Sequence, residues 1–301
     1  MEIDSEIQLN KNSFNLTGIV PVAGLPLDFG MDWHDCLTPI APDYTMVEHA
    51  VYECAWAGCE TVWVVCHYEM EPLIRYRMGD YVQDPVYANR TLEKYPSEHQ
   101  RRIPIYYVPV HPKDRDRRDS LGWSVLYGAL VALKVHSKIS KWTVPDKYYV
   151  SFPYGIFDPK ELRPLRSQIS SRQNFFVAKN SDLVNKNNYT SFTFGKEEFV
   201  RFRREVRKGT GMYKNSDSGI PTEKLPIEER YSARFFELKD IFADLREEEG
   251  YIFKPTYFYN VGSWSDYIDF LSSPHGRQIQ RPPKEIMGYH EFNSIGKDRN
   301  D

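Results

Sequence analysis

The stretch from Gly18 to Cys66 constrains the fold more than any other part of the chain. Residues 18–24, GIVPVAG, form a short apolar run ending in glycine, the pattern of a buried parallel strand entering a turn. Leu25 to Asp43 is broken by Gly and Pro and has no period, which predicts a long loop at the carboxyl edge of that strand. Thr45 starts a helix with Glu48 three residues on, a capping box, and Val47, Ala50, Val51 and Cys54 recur on one helical face. Gly58 ends the helix, and TVWVVC at 61–66 reads as a second buried strand. The result is a β-α-β unit, whose crossover is expected to be right-handed.

The same alternation continues. A helix is predicted near Met70–Met78, a third strand at Ile105–Val110, and an amphipathic helix at Leu121–Lys134. Tyr148–Phe152 is a fourth strand, and Pro159 starts a short helix through Leu165. This order predicts an α/β fold, Rossmann-like, with a mostly parallel sheet and helices on both faces. Beyond residue 170 the texture shifts to a smaller antiparallel β/α elaboration. Phe175–Ala178 and Thr190–Phe194 are predicted to pair antiparallel, and Lys196–Lys208 is a helix with Phe199, Phe202 and Val206 inside. Its other face, with Arg201, Arg203, Arg204, Arg207 and Lys208, reads as solvated, with an anion or partner contact as the alternative. A loop at Gly209–Pro226, a helix at Phe235–Leu245, a strand at Tyr251–Tyr259 and a helix opened by Ser263 and Asp266 complete the pattern. The expected domains are an arm at 1–17, a main domain at 18–271 with halves at 18–170 and 171–271, and a polar tail at 272–301.

With 301 residues, 41% of them hydrophobic, the chain can bury a full core. A net charge of −3 leaves no basic footprint for nucleic acid. No apolar run reaches membrane-spanning length and the first residues lack a secretory pattern, so no membrane and a cytoplasmic location are expected. Cys36, Cys54, Cys59 and Cys66 fall on or near core elements and read as reduced, small buried side chains. Without a C-x-x-C pair, zinc ligation with His34 or His67 is the weaker reading.

Six segments, in order, resemble the sugar-1-phosphate nucleotidyltransferases. IVPVAG (Ile19–Gly24) is similar to that family's first strand and its Ala-Gly step, and CLTPI (Cys36–Ile40) to its Leu-x-Pro segment. AGCETVWVV (Ala57–Val65) is similar to the helix-end glycine and second strand, and LGWSVLYGALVALK (Leu121–Lys134) to the helix beside the nucleobase. YYVSFPYGIFDP (Tyr148–Pro159) resembles the strand that ends in a Gly-Asp metal ligand. FYNVGSWSDYIDFL (Phe258–Leu271) resembles the terminal Asp-x-Gly-Thr-Pro segment and its helix. The resemblance implies a cleft in which Gly24, Leu25, Gly122 and Trp123 contact a nucleotide or nucleotide sugar, with Mg²⁺ as cofactor if the chain is active.

That chemistry needs cations around the phosphates and a metal ion to polarise them. Where the family has Gly-x-Gly-Thr-Arg, this chain reads Gly24-Leu25-Pro26-Leu27-Asp28, so the phosphate-binding Arg becomes Asp28 and Pro26 has no N–H to offer. Where the family has Pro-Lys, the chain has His34-Asp35. The two metal-binding Asp positions match Tyr154 and Asn260; a carbonyl oxygen of Asn can still meet a cation, but Tyr is a poor Mg²⁺ ligand. A like charge about 4 Å from a phosphate costs on the order of 4 kcal/mol near a surface. Leu25–Cys36 contains neither Arg nor Lys in any register.

Three alternatives stay open. Asp28, Asp32 and Asp35 could hold a divalent ion or a cationic ligand. Asp114-Arg115-Asp116 could serve as the Asp-x-Asp metal motif of a glycosyltransferase, and Lys113, Arg115, Arg117 and Arg118 could restore phosphate binding from another loop. The expectation is a nucleotidyltransferase-fold protein that has lost its catalytic residues and acts as a binding or assembly component, with a protein partner or second copy. The alternative is a divergent enzyme that makes or uses a nucleotide sugar.

Overall fold

In a computed structural model, residues 14–24, 27, 29–88, 101–112, 114–115, 119–139, 144–209 and 236–287 are described. The strands are β1 (Leu16–Pro21), β2 (Pro39–Ala41), β3 (Tyr44–Thr45), β4 (Thr61–Cys66), β5 (Tyr81–Gln83), β6 (Arg102–Pro109), β7 (Lys147–Val150), β8 (Gly155–Ile156), β9 (Phe175–Val177), β10 (Phe192–Phe194), β11 (Tyr251–Phe253) and β12 (Tyr259–Asn260). The α-helices are α1 (Met46–Ala57), α2 (Glu71–Met78), α3 (Pro85–Ala88), α4 (Leu121–Ile139), α5 (Arg166–Ile169), α6 (Lys196–Gly209), α7 (Leu238–Phe242) and α8 (Trp264–Ser272).

Eight strands form one sheet in the order β11-β9-β10-β7-β1-β4-β6-β5. The central four, β7-β1-β4-β6, are parallel, as the β-α-β pattern predicts, while β5 pairs antiparallel with β6 and β10 with β7. β9 and β10 pair antiparallel, in line with the sequence, and extend the same sheet. The continuous apolar runs of β1 and β4 are explained by burial on both faces. Leu16, Val20, Val62 and Val64 pack toward α1, whereas Ile19, Trp63 and Val65 pack toward Val125, Leu126 and Ala129 of α4. α4 comes so close to the sheet that a Cβ on Gly128 would lie 2.6 Å from Val65 Cγ2.

The capping box of α1 is present, with Glu48 Oε2 accepting from the Thr45 N–H at 2.8 Å. Gly58 ends that helix at φ +90°, a left-handed conformation that L side chains rarely adopt. All four cysteines are free and buried. In the second half, Phe192, Phe194, Phe202 and Phe242 meet edge to face and hold α6 and α7 against the sheet.

Some expectations are corrected. The predicted strand Tyr251–Tyr259 splits at Lys254–Phe258 into β11 and β12, which sit in different sheets, because Pro255 has no N–H for a ladder. Pro159–Leu165 is a 3₁₀ helix with Pro164 inside it, and the predicted Phe235–Leu245 helix is confined to α7. Residues 273–287 are no free arm: Ile286 and Met287 are buried in the core, and the Ile286 carbonyl accepts from the Gln83 N–H at 2.8 Å. The predicted loop at Gly209–Pro226, residues 1–13 of the predicted arm and residues 288–301 of the tail lie outside the described residues.

Two buried carboxylates cross-link these layers. Glu48 also accepts from Arg77 Nε at 3.0 Å and from Arg281 at 3.3 Å, so the cap of α1 gathers α2 and the C-terminal segment. Glu53, fully buried on α1, accepts from the Tyr149 hydroxyl at 2.7 Å, Ser151 Oγ at 2.8 Å and Ser191 Oγ at 2.5 Å. Burial raises its carboxyl from 4.5 to about 7, against the lowering effect of those three hydroxyls. Between these two values the folded chain holds a proton that the unfolded chain has lost, so stability falls as pH rises from 4.5 to 7 and then levels off. Glu53→Gln is expected to remove this contribution, on the order of 3 kcal/mol. Denaturant midpoints measured across that range should slope for the wild type and run flatter for the variant.

Candidate functional site

Open parallel sheets offer a ligand crevice beyond the carboxyl ends of their strands. Here that edge is built from the exit of β1, the exit of β4 and the start of α4. After β1 the Val22 and Ala23 N–H groups both donate to the Val65 carbonyl at 2.8 Å, and Ser124 Oγ donates to the Ala23 carbonyl at 2.6 Å. Gly24 is thereby set against the first turn of α4, where a Cβ would lie 3.0 Å from the Leu121 nitrogen. Leu25, Pro26 and Asp28 lie outside the described residues.

Gly122 and Trp123 follow at once, but α7 covers them. A Cβ on Gly122 would lie 2.5 Å from Ile241 Cδ1, and Trp123 is buried in the cluster that includes Ile241 and Phe242. Asp35 is also turned inward: it is buried, and its Oδ2 accepts from the Leu27 N–H at 2.6 Å. Asp32, by contrast, is exposed. Among the described residues, no group of three or more His, Cys, Asp or Glu is placed to hold a metal ion.

The structure brings Tyr154 and Asn260 together, through the short ribbon in which Asn260 pairs with Gly155. Tyr154 is 2% exposed and packs with Phe29, Ile40 and Val261, its ring edge-on to Tyr189 at 5.2 Å. Burial pushes its phenol well above the ordinary range. The side-chain oxygen of Asn260 accepts from the Tyr189 N–H at 2.7 Å. Both positions therefore serve packing and backbone satisfaction. Asp114 is half-buried and its N–H donates to the His111 carbonyl at 2.8 Å, while Arg115 is paired with Glu69 at 2.5 Å. Lys113, Asp116, Arg117 and Arg118 lie outside the described residues.

A pair the sequence reasoning did not single out stands at the same edge. His67, the residue after β4, has Nε2 at 2.9 and 3.1 Å from the two carboxylate oxygens of Asp119, just before α4, and both side chains are buried. The His34 ring stands edge-on to His67 at 6.4 Å. Burial, then the neighbouring His67, pulls His34 down to about 4 against the opposing pull of Asp119, so it is neutral near pH 7, and it accepts from the Cys36 N–H at 3.3 Å. The available signal was positional: a His directly after one strand and an Asp directly before a helix share the carboxyl edge.

No protein-family profile matches the sequence, and no curated protein matches it. Solved structures do match in shape. A protein assigned as a glucose-1-phosphate thymidylyltransferase from Bacillus anthracis, in complex with a sucrose, superposes with a TM-score of 0.53 at 11% identity, over 90% of this chain and 98% of that one. A UDP-glucose pyrophosphorylase complexed with UDP-glucose is similar at a TM-score of 0.49 and 14% identity, over 88% and 100% of the two chains. The UTP-bound enzyme of that kind from Acinetobacter baumannii gives 0.48 and 14%, over 87% and 95%. The chain has the fold of the sugar-1-phosphate nucleotidyltransferases, the α/β class that its sequence resembles.

Asn260→Ala should cost about 1–3 kcal/mol by leaving the Tyr189 N–H without its acceptor, whereas Asn260→Asp keeps an oxygen there and should cost less. Chemical denaturation of the two variants beside the wild type checks that order.

Proposed function

We propose that this chain is a catalytically degenerate nucleotidyltransferase-fold protein that acts in the cytoplasm as a binding or assembly component, with a protein partner or a second copy of itself. The observation that carries the reading is the use made of Tyr154 and Asn260. At the positions where the resemblance requires two metal-binding carboxylates, one side chain fills an aromatic cluster and the other spends its oxygen on a backbone N–H. The covering of Gly122 by Ile241 and the inward turn of Asp35 support it further. Calorimetric titration with UTP, dTTP and UDP-glucose, each with and without Mg²⁺, is expected to show no metal-dependent binding, while light scattering shows a stable oligomer or a partner complex. Micromolar, Mg²⁺-dependent nucleotide binding would overturn the reading.

The buried His67–Asp119 pair favours a second reading, a divergent enzyme that makes or uses a nucleotide sugar. An Asp-held imidazole at the ligand edge of an α/β sheet is suited to moving a proton. On this reading turnover of a nucleotide sugar is measurable and is lost in His67→Ala with the fold intact.

A further inference from the structure

The eight-stranded sheet ends in a short strand on each side, β5 at one edge and β11 at the other. An open edge presents a row of unpaired N–H and C=O groups, and proteins blunt it with charge, proline or a covering segment. At β5 the covering segment is the chain's own, since the Gln83 N–H donates to the Ile286 carbonyl at 2.8 Å. At β11 none of these devices is present among the described residues. The Tyr251 N–H donates to the Asn174 carbonyl at 2.8 Å and the Phe253 carbonyl accepts from the Ala178 N–H at 2.9 Å, so the backbone of both residues faces β9. Ile252, between them, turns its N–H and C=O to the open side, where neither has a partner among the described residues. The strand itself reads Tyr-Ile-Phe, without charge or proline, and Tyr251 and Ile252 are 37% and 43% exposed.

We propose that the β11 edge is a homodimer surface, on which a second copy of this chain adds its own β11 antiparallel about a two-fold axis at Ile252. The inference rests on the assembly reading and names its partner. Three features of the edge are self-complementary in that register. Ile252 meets its counterpart, and the two exchange N–H and C=O bonds, the hydrogen-bonded pair of an antiparallel ladder. Tyr251 falls opposite the second copy's Phe253. Both rings lie on the Phe175 face, Tyr251 at 5.8 Å and Phe253 at 6.2 Å from that ring, so each of the two crossings adds an aromatic pair. Lys254, exposed at one end of the strand, comes beside the turn that precedes the second copy's β11, where Glu248 and Glu249 are exposed. Glu249 is paired with Arg246 at 2.9 Å, which leaves Glu248 to meet Lys254. Opposite charges at the two ends of β11 favour the antiparallel register, and a partner that carries the same two ends in reverse is a second copy.

Sedimentation equilibrium of the full chain, between about 1 µM and about 1 mM, is expected to show dimer. Over the same range the Ile252 amide should exchange with solvent more slowly as concentration rises, while the Gln83 amide at the covered edge keeps its rate. Ile252→Pro removes the outward N–H without touching the β9 ladder, to which that residue donates nothing, and Ile252→Arg sets two like charges at the axis. Each variant, with a wild-type circular dichroism spectrum as the sign that it is folded, should dimerise about tenfold more weakly or worse. The proposal is overturned by a chain that stays monomeric throughout, by an Ile252 amide whose exchange ignores concentration because another segment covers it, or by folded variants that dimerise like the wild type. Nucleotide titration reads the cleft separately. A monomer that binds no nucleotide sinks the dimer and leaves the assembly reading with a different protein partner, so the two failures are distinguishable.

Discussion

Strand β1 is the constraint on which the rest of the structure depends. It is hydrogen-bonded on both edges, to β4 and β7, and covered on both faces, so each of its residues from Leu16 to Pro21 is buried. Such a strand can carry no solvated side chain, and its register against Thr61–Val65 fixes where the chain emerges at Gly24. The contact of Gly24 with the first turn of α4, the placement of His67 at the end of β4 and the line of the crevice all follow from that register.

Within that frame, three groups at the carboxyl edge, Asp35, Tyr154 and Asn260, face inward. Asp35 closes its own loop through the Leu27 N–H, Tyr154 packs into a cluster with Phe29 and Val261, and the Asn260 oxygen meets the Tyr189 N–H. Each of these three side chains is engaged by the protein itself. A buried polar group without a partner is destabilising, so at buried positions packing and internal hydrogen bonds are the stable arrangement.

A second set of interactions ties distant segments to α1. Arg166 donates to the Trp56 and Ala55 carbonyls at 2.8 and 2.6 Å, covering the carboxyl end of the helix, and forms a two-pronged pair with buried Asp84. Lys147, itself buried, donates to the Ser171 carbonyl at 3.0 Å and also to that of Gln173, which anchors the crossing into the second half. Burial lowers its ammonium to about 8, so these carbonyls hold a cation whose charge is costly to bury. With Glu48 and Glu53, Arg166 makes α1 the hub to which α2, β7, the segment before β10 and residue 281 all attach.

The sequence by itself determined the central β-α-β unit, the parallel core of the sheet, the capping box of α1 and the buried, unpaired state of its cysteines. These are local or periodic: two-sided burial demands an unbroken apolar run, and a capping box needs residues three apart. It also determined that Leu25–Cys36 has no cation, since composition needs no register. Only the tertiary structure decided that residues 273–287 pack against the core, because the three apolar residues of a polar, proline-broken stretch, Ile279, Ile286 and Met287, give no continuous period. The same holds for the break at Pro255 and for His67 meeting Asp119 across 52 residues. Side chains that meet over such separations are chosen by the packing of whole elements, and spacing along the chain does not encode which of them will face each other.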